Sequence, residues 1–195
     1  FVDEAKDPDG KITGFTLVPS VIMVNTKLIG NIKVEGYQDL LNPALKGKVC
    51  TRSGSHPYNL SLGAALIQHI GAAKTEEWAR GLVANFARAP KGGDTDQIKA
   101  VAAGECGVAI SNSYYVARLM RSTKPEDQKV VAKIGVIWPD QAGHGTHINV
   151  SGAGMLKHAP NKAAAVKFLE YLASDDAQRY FADGNNEWPA VASVK

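Results

Sequence analysis

The sequence predicts an α/β fold with a mostly parallel sheet and helices on both faces. Two observations lead there. Short apolar, β-rich runs alternate with segments of helical periodicity along most of the chain. Glycines and capping residues fall at the ends of those helical segments, where chain reversals are needed.

In order, the first ten residues are charged and turn-like, with Asp7-Pro8-Asp9-Gly10 as their centre. Val21-Ile22-Met23-Val24 reads as a buried strand entered at Pro19. A short helix is expected around Tyr37 to Leu41, and Lys46-Gly47-Lys48 is a turn. Val49-Cys50-Thr51 starts a strand that runs into the loop Ser53 to Pro57. Leu62, Leu66 and Ile70 recur every fourth residue, so Tyr58 to Ile70 reads as a helix ended by Gly71. A second helix is expected from Thr75, as its cap, to Val83. Phe86 to Arg88 is a weak strand candidate, and Thr95 is the expected cap of a helix over Asp96 to Ala103. Val108-Ala109-Ile110 is a strand, followed by a short helix over Tyr115 to Arg121. Lys124 to Asp127 reads as a solvated loop, Ile134 to Trp138 and Ile148 to Met155 as strands. Two helices close the chain, Lys162 to Ala173 capped by Asn161 and Asp175 to Ala182 capped by Ser174.

Composition narrows the function classes. Among 195 residues, 22 Lys plus Arg against 19 Asp plus Glu give a net charge of +3. The basic residues are scattered, with no arginine-rich run, which argues against nucleic acid as partner. No apolar run approaches the ~20 residues that a membrane-spanning helix needs. The first residue is not Met, so the sequence is expected to be a mature form or an internal fragment.

In parallel α/β sheets, ligands bind beyond the carboxyl ends of strands. The loop from Ser53 to Tyr58 and the pair Tyr114-Tyr115 both follow predicted strands, so both belong on that edge. Cys50 lies 8 residues before Tyr58, and Cys106 lies 8 before Tyr114. In-register parallel neighbours, roughly 4.8 Å apart, would set the cysteines together at one end and the tyrosines at the other. Disulfide Cα separations span about 4.4 to 6.8 Å, so a Cys50–Cys106 bridge is open. Two inert buried thiols are the equal alternative.

A pair of tyrosines is most simply core packing. Three phenols converging on one edge have different chemistry. Phenolate is a hard oxygen donor that ionises near neutral pH only when a strong cation displaces its proton. Ferric iron suits it best. Zinc would recruit clustered Cys or His, and neither CxxC nor HExxH occurs.

"GECGVAISNSYYVARL" resembles the tyrosine-pair segment of the periplasmic ferric-ion-binding proteins, the soluble receptors of bacterial iron ABC importers. "GKVCTRSGSHPYNLSL" resembles their segment with a third tyrosine ligand, and the interval of 56 residues from Tyr58 to Tyr114 is that of the tyrosine-rich branch. "KGGDTDQIKAVAAGEC" and "DGNNEWPAV" are also similar, and the likeness runs from about Gly14 to Val191. The resemblance implies a type II periplasmic-binding-protein clamshell in which Tyr58, Tyr114 and Tyr115 bind Fe(III). Residues 1–20 would be the end of the first lobe and the hinge entry, 21–145 the second lobe, and 146–195 the hinge return and first-lobe helices. It implies a fragment without the family's amino-terminal part, which often adds a His or Tyr ligand. It further implies a monomeric periplasmic or lipid-anchored extracytoplasmic protein, not an enzyme, that hands iron to a membrane permease.

The family's hinge-strand arginine, which supports a bound anion, is missing from Val18-Pro19-Ser20. Carbonate or a similar anion is expected beside Arg52, Ser53, Ser55 and Asn112, against plain turn chemistry at the serines and a salt bridge at Arg52. Two alternatives keep their place: a binding protein of the same fold for a small oxyanion such as a phosphonate, and an enzyme using Cys with His. His144 and His147 sit three apart in a glycine-rich loop, with no cysteine nearby in sequence. His56 stands beside Tyr58. Trp78, Trp138 and Trp188 are expected in packing roles.

Overall fold

A computed structural model describes residues 2–194. In chain order the elements are β1 (Thr13–Asn25), β2 (Val49–Cys50), α1 (Pro57–Ile70), α2 (Ala72–Ala84), α3 (Asp94–Ala103), β3 (Val108–Asn112), α4 (Ser113–Arg121), α5 (Pro125–Val131), β4 (Ile134–Ile137), β5 (Ile148–Ala153), α6 (Lys162–Leu172), α7 (Asp175–Asn185) and β6 (Trp188–Pro189), with short 3-10 turns at Asp3–Ala5, Tyr37–Leu41 and Pro43–Leu45. The chain divides into two compact units, Phe1–Val18 with Ile148–Lys195, and Pro19–His147.

In the larger unit the strand order is β2-β3-β1-β4. The sheet is mixed rather than mostly parallel. β2 and β3 are parallel, with Val49 opposite Val108, whereas β1 runs antiparallel to both β3 and β4. Reading an alternation of strands and helices does not reveal the direction of a strand that arrives from elsewhere in the chain. β1 is such a strand.

Alternate residues of β1 feed two cores. Ile22 and Val24 join Val108, Ile110, Leu62, Leu66, Trp78 and Leu82, so α1 and α2 cover one face. Val21 and Met23 join Ala109, Ile98, Val101, Val116 and Leu119, so α3 and α4 cover the other. Burial on both faces explains why β1 is apolar without alternation. Pro19 lies inside β1 rather than at its entrance. It falls between the ladder to β6, at Thr16 and Leu17, and the ladder to β3, which starts at Ser20, so its missing N–H breaks neither.

Several boundaries differ from expectation. α2 starts at Ala72, because Gly71 at φ 85° ends α1 and immediately starts the next helix. Thr75 is inside α2, and its hydroxyl donates back to the Gly71 carbonyl at 2.9 Å. Gly93, not Thr95, caps α3, and the Asp96 carboxylate accepts from Gly93 N–H at 2.7 Å. Residues 125–131 are helical, not a solvated loop. Phe86 makes only a single parallel bridge to Val49. Trp78 is core and donates to the Tyr37 carbonyl at 2.8 Å, while Trp138 and Trp188 are exposed.

Cys50 and Cys106 are bridged, with Cα atoms 5.8 Å apart. The register is not the one the equal spacing suggested: Cys50 lies opposite Ala109, three residues beyond Cys106. Gly104, at φ 84°, turns the chain out of α3, and Cys106 N–H bonds back to Ala100. The turn, not the ladder, brings the sulfurs together.

Tyr37 pins the larger unit at its boundary residues. Its buried hydroxyl donates to the Ser20 carbonyl at 2.6 Å and accepts from His147 N–H at 3.2 Å. In the smaller unit, the fully buried Gln178 satisfies its whole amide. It donates to Phe15 and Leu172 carbonyls and accepts from Ala190 and Val191 N–H groups.

Two stability outcomes follow from these contacts. Replacing both Cys50 and Cys106 by Ser frees a loop of separation 56, which costs on the order of 4 kcal/mol. Calorimetry should show Tm lowered by roughly 10 °C. Tyr37→Phe leaves the buried Ser20 carbonyl and the half-buried His147 N–H short of a partner and should cost about 1–3 kcal/mol in urea unfolding. An unchanged midpoint would refute the pinning role.

Candidate metal centre

β2 and β3 are parallel neighbours, and each runs at its carboxyl end into a helix. The chain after β2 goes to one face as α1, and the chain after β3 goes to the other face as α4. Such a divergence opens a crevice at the sheet edge. Tyr58 is the second residue of α1, and Tyr114 the second residue of α4. First-turn side chains lean back toward the helix amino end, so both phenols point toward the divergence.

The hydroxyls of Tyr58 and Tyr114 are 3.2 Å apart. The Tyr115 ring lies against Tyr114 with centroids 4.1 Å apart. All three rings are half-buried. Tyr115 also packs partly on the core beneath α4, so packing accounts for part of its position. Burial raises the pKa of Tyr58 and of Tyr114. For Tyr114, the strongly raised one, hydrogen bonds to Tyr115 and Tyr58 and the charge of a neighbouring phenolate push in the same direction. Left alone, Tyr58 and Tyr114 hold their protons beyond the usual phenol range. Two oxygens bound cis to a small octahedral cation, with bonds of about 2.0–2.1 Å, lie about 2.9 Å apart. The phenols are thus close to the spacing of shared ligands, and both helix amino ends favour the anionic form.

Cations surround the cluster. The Arg52 guanidinium lies 5.0 Å from the Tyr58 ring centre and pairs with Asp94 at 2.6 Å. Arg118 lies 5.7 Å from the Tyr114 ring and 5.8 Å from the Tyr115 ring, with no carboxylate pairing to it among the described residues. Asp94 and Arg118 went unremarked in the sequence. The spacing of Arg118, four residues after Tyr114 and three after Tyr115 on one helix, was the available signal.

The other expected residues lie as follows. Ser53 and Ser55 are exposed and bond to each other at 2.8 Å, while His56 caps α1 by accepting from Tyr58 N–H at 3.2 Å. Burial and the nearby Arg52 cation lower the His56 pKa, which keeps its imidazole available as that acceptor. Asn112 is buried. Its Oδ1 accepts from Ser20, and its Nδ2 has no protein partner among the described residues, as is true of Arg52 Nε. His144 stacks on His69, while His147 Nε2 meets Ser61, so the two do not form a pair. The bridge consumes both thiols, which closes the cysteine-nucleophile reading. No cluster of three or more His, Cys, Asp or Glu able to hold a metal occurs among the described residues, and no helix is long and apolar enough to cross a membrane.

The family model for bacterial extracellular solute-binding proteins matches residues 2–195. The chain belongs to this family. It is 50% identical over 194 residues to Iron uptake protein A2 of Synechocystis, covering 98% of this chain and 56% of that protein. It is similar to a Trichodesmium protein solved with iron and citrate, at 50% identity and TM-score 0.91, over 98% of this chain and 60% of that one. A ferric binding protein from Campylobacter jejuni superposes with TM-score 0.92 at 36% identity, over 99% and 61%. The chain thus spans little more than half the length of its curated relative. The type II binding-protein fold of these relatives is the fold class read from the sequence.

The raised phenol pKa values carry a pH signature for the metal-free protein. In the unfolded chain a phenol loses its proton near pH 10, while Tyr58 and Tyr114 of the folded protein retain theirs. Folding stability is therefore full below that pH and falls as pH rises beyond it. Urea midpoints measured through the alkaline range should drop, and Tyr114→Phe should flatten the drop. A flat parent profile would contradict the shifts.

Proposed function

We propose that this solute-binding chain captures Fe(III) through the phenolates of Tyr58, Tyr114 and Tyr115, as part of an extracytoplasmic protein that delivers iron to an ABC importer permease. The observation that carries the proposal is the 3.2 Å approach of the Tyr58 and Tyr114 hydroxyls with Tyr115 beside them. Three phenolates neutralise a trivalent cation, whereas a divalent cation on the same three phenolates would leave excess negative charge in a half-buried site. The iron-related names of the relatives support the same ligand.

In this reading residues 1–20 and 146–195 contribute to one lobe and to the hinge, and 21–145 form the other lobe, which carries the three phenols. A carbonate-like anion would complete the shell. Asn112 Nδ2 and Arg52 Nε, buried donors without protein partners, support that part of the reading. The mutual bond of Ser53 and Ser55 favours turn chemistry at those two residues.

Ferric citrate should colour the protein through phenolate-to-iron charge transfer. Outer-sphere changes alone cost metal sites about 10–100-fold, so Tyr114→Phe with Tyr115→Phe should weaken ferric affinity by more than roughly 100-fold. Each phenol proton displaced weakens binding by up to about tenfold per pH unit of acidification. A colourless loaded protein, or wild-type affinity in the double variant, would defeat the proposal.

A further inference from the structure

Asp94 is buried, 2% exposed, and belongs to neither phenol-bearing segment. It is the first residue of α3, where the helix amino end favours its charge. One carboxylate oxygen receives Arg52 Nη1 at 2.6 Å. The other receives the backbone N–H of Asn112 at 2.7 Å, with the Ser111 hydroxyl at 3.4 Å. Arg52 is on the segment that leads to Tyr58. Asn112 is the residue from which α4, with Tyr114 and Tyr115, begins. A single carboxylate therefore holds both segments.

The ion pair is costly to maintain as mere packing. Burying two charges rarely stabilises more than an apolar pair of the same volume, so a pair at this position calls for a further role. Arg52 supplies one. Its guanidinium, fixed by Asp94, lies 5.0 Å from the Tyr58 ring centre. A cation over an aromatic face both holds the ring and draws on its electron density.

We propose that Arg52, anchored on Asp94, is a positioning residue that sets the pose and donor strength of Tyr58 and couples it to the turn bearing Tyr114 and Tyr115. The inference rests on the ferric reading above. It adds that ligand strength within the tyrosine group is unequal by construction: Tyr58 has a cation fixed over its ring by a buried anion, whereas Tyr114 and Tyr115 share the exposed Arg118, which no carboxylate fixes among the described residues.

The experiment compares Arg52→Gln and Arg52→Lys with the parent in the full chain, loaded with ferric citrate and challenged with a competing chelator. The parent spectrum tests the ferric reading, and a parent without a visible band defeats both. Given a parent band, Arg52→Gln should shift it to longer wavelength, because a phenolate relieved of the cation is the easier electron donor. Its ferric affinity should fall by roughly two- to thirtyfold. Arg52→Lys retains the charge but not the planar face, so its band should stay near the parent's while affinity falls. A structural salt bridge alone would lower thermal stability and leave the band in place. If folded Arg52→Gln keeps both parent band and parent affinity, the proposal is overturned. Should Arg52→Gln fail to fold, parent affinity in Arg52→Lys overturns it equally.

Discussion

The parallel pairing of β2 with β3 is the constraint on which the site depends. Two parallel neighbours present their carboxyl ends at the same edge, so whatever follows each strand is placed side by side. Here α1 follows one and α4 the other, on opposite faces, and each starts with a tyrosine at its second residue. The Cys50–Cys106 bridge ties the β2 end to the turn before β3. Two pieces of chain far apart in sequence thereby share one rigid origin. The distance between the Tyr58 and Tyr114 hydroxyls is a consequence of that origin rather than of any attraction between phenols.

Electrostatics then separates this group from ordinary tyrosine packing. A phenol in a core has its hydroxyl paired with a backbone or polar partner, as Tyr37 does with Ser20 and His147. Burial raises its pKa too, but the neutral form is fully satisfied there. Tyr58 and Tyr114 instead bond to each other, and the bond makes ionisation of Tyr114 harder while it eases that of Tyr58, whose pKa is raised chiefly by burial. Neutral phenols gain little from such closeness. A cation that replaces the shared protons offsets the repulsion between two neighbouring phenolates by attracting both.

Much of this was legible in the sequence where local chemistry and tertiary context agree. The Leu62, Leu66, Ile70 period gave α1 because those side chains do face a core or its margin. Tyr58 and the pair Tyr114-Tyr115 each follow a predicted strand, and that order placed them on one sheet edge. Other features were hidden for specific reasons. α5 buries no residue, so it has no apolar period to read, although Pro125 and the acids after it are helix-start chemistry. The direction of β1 and the offset of three residues between the cysteines are tertiary facts that equal spacing imitates. Asp94 sits among other turn-and-cap residues in "KGGDTDQ", and nothing local distinguishes the buried aspartate from Asp96, which caps.

The same geometry bears on the choice between a cation and a small oxyanion. Helix amino ends attract negative charge, and taken alone the starts of α1 and α4 suit a phosphonate. Yet the first-turn positions that would face such a ligand carry phenols, which become anions themselves when a cation binds. The dipoles are then matched by the protein's own oxygens. The Arg52 charge is likewise committed, to Asp94 on one side and to the Tyr58 ring on the other. What is left for an anion is a pair of buried N–H donors, on Asn112 and Arg52, beside the phenols. That supply fits a co-ligand on a metal better than a cargo that must be held by donors alone.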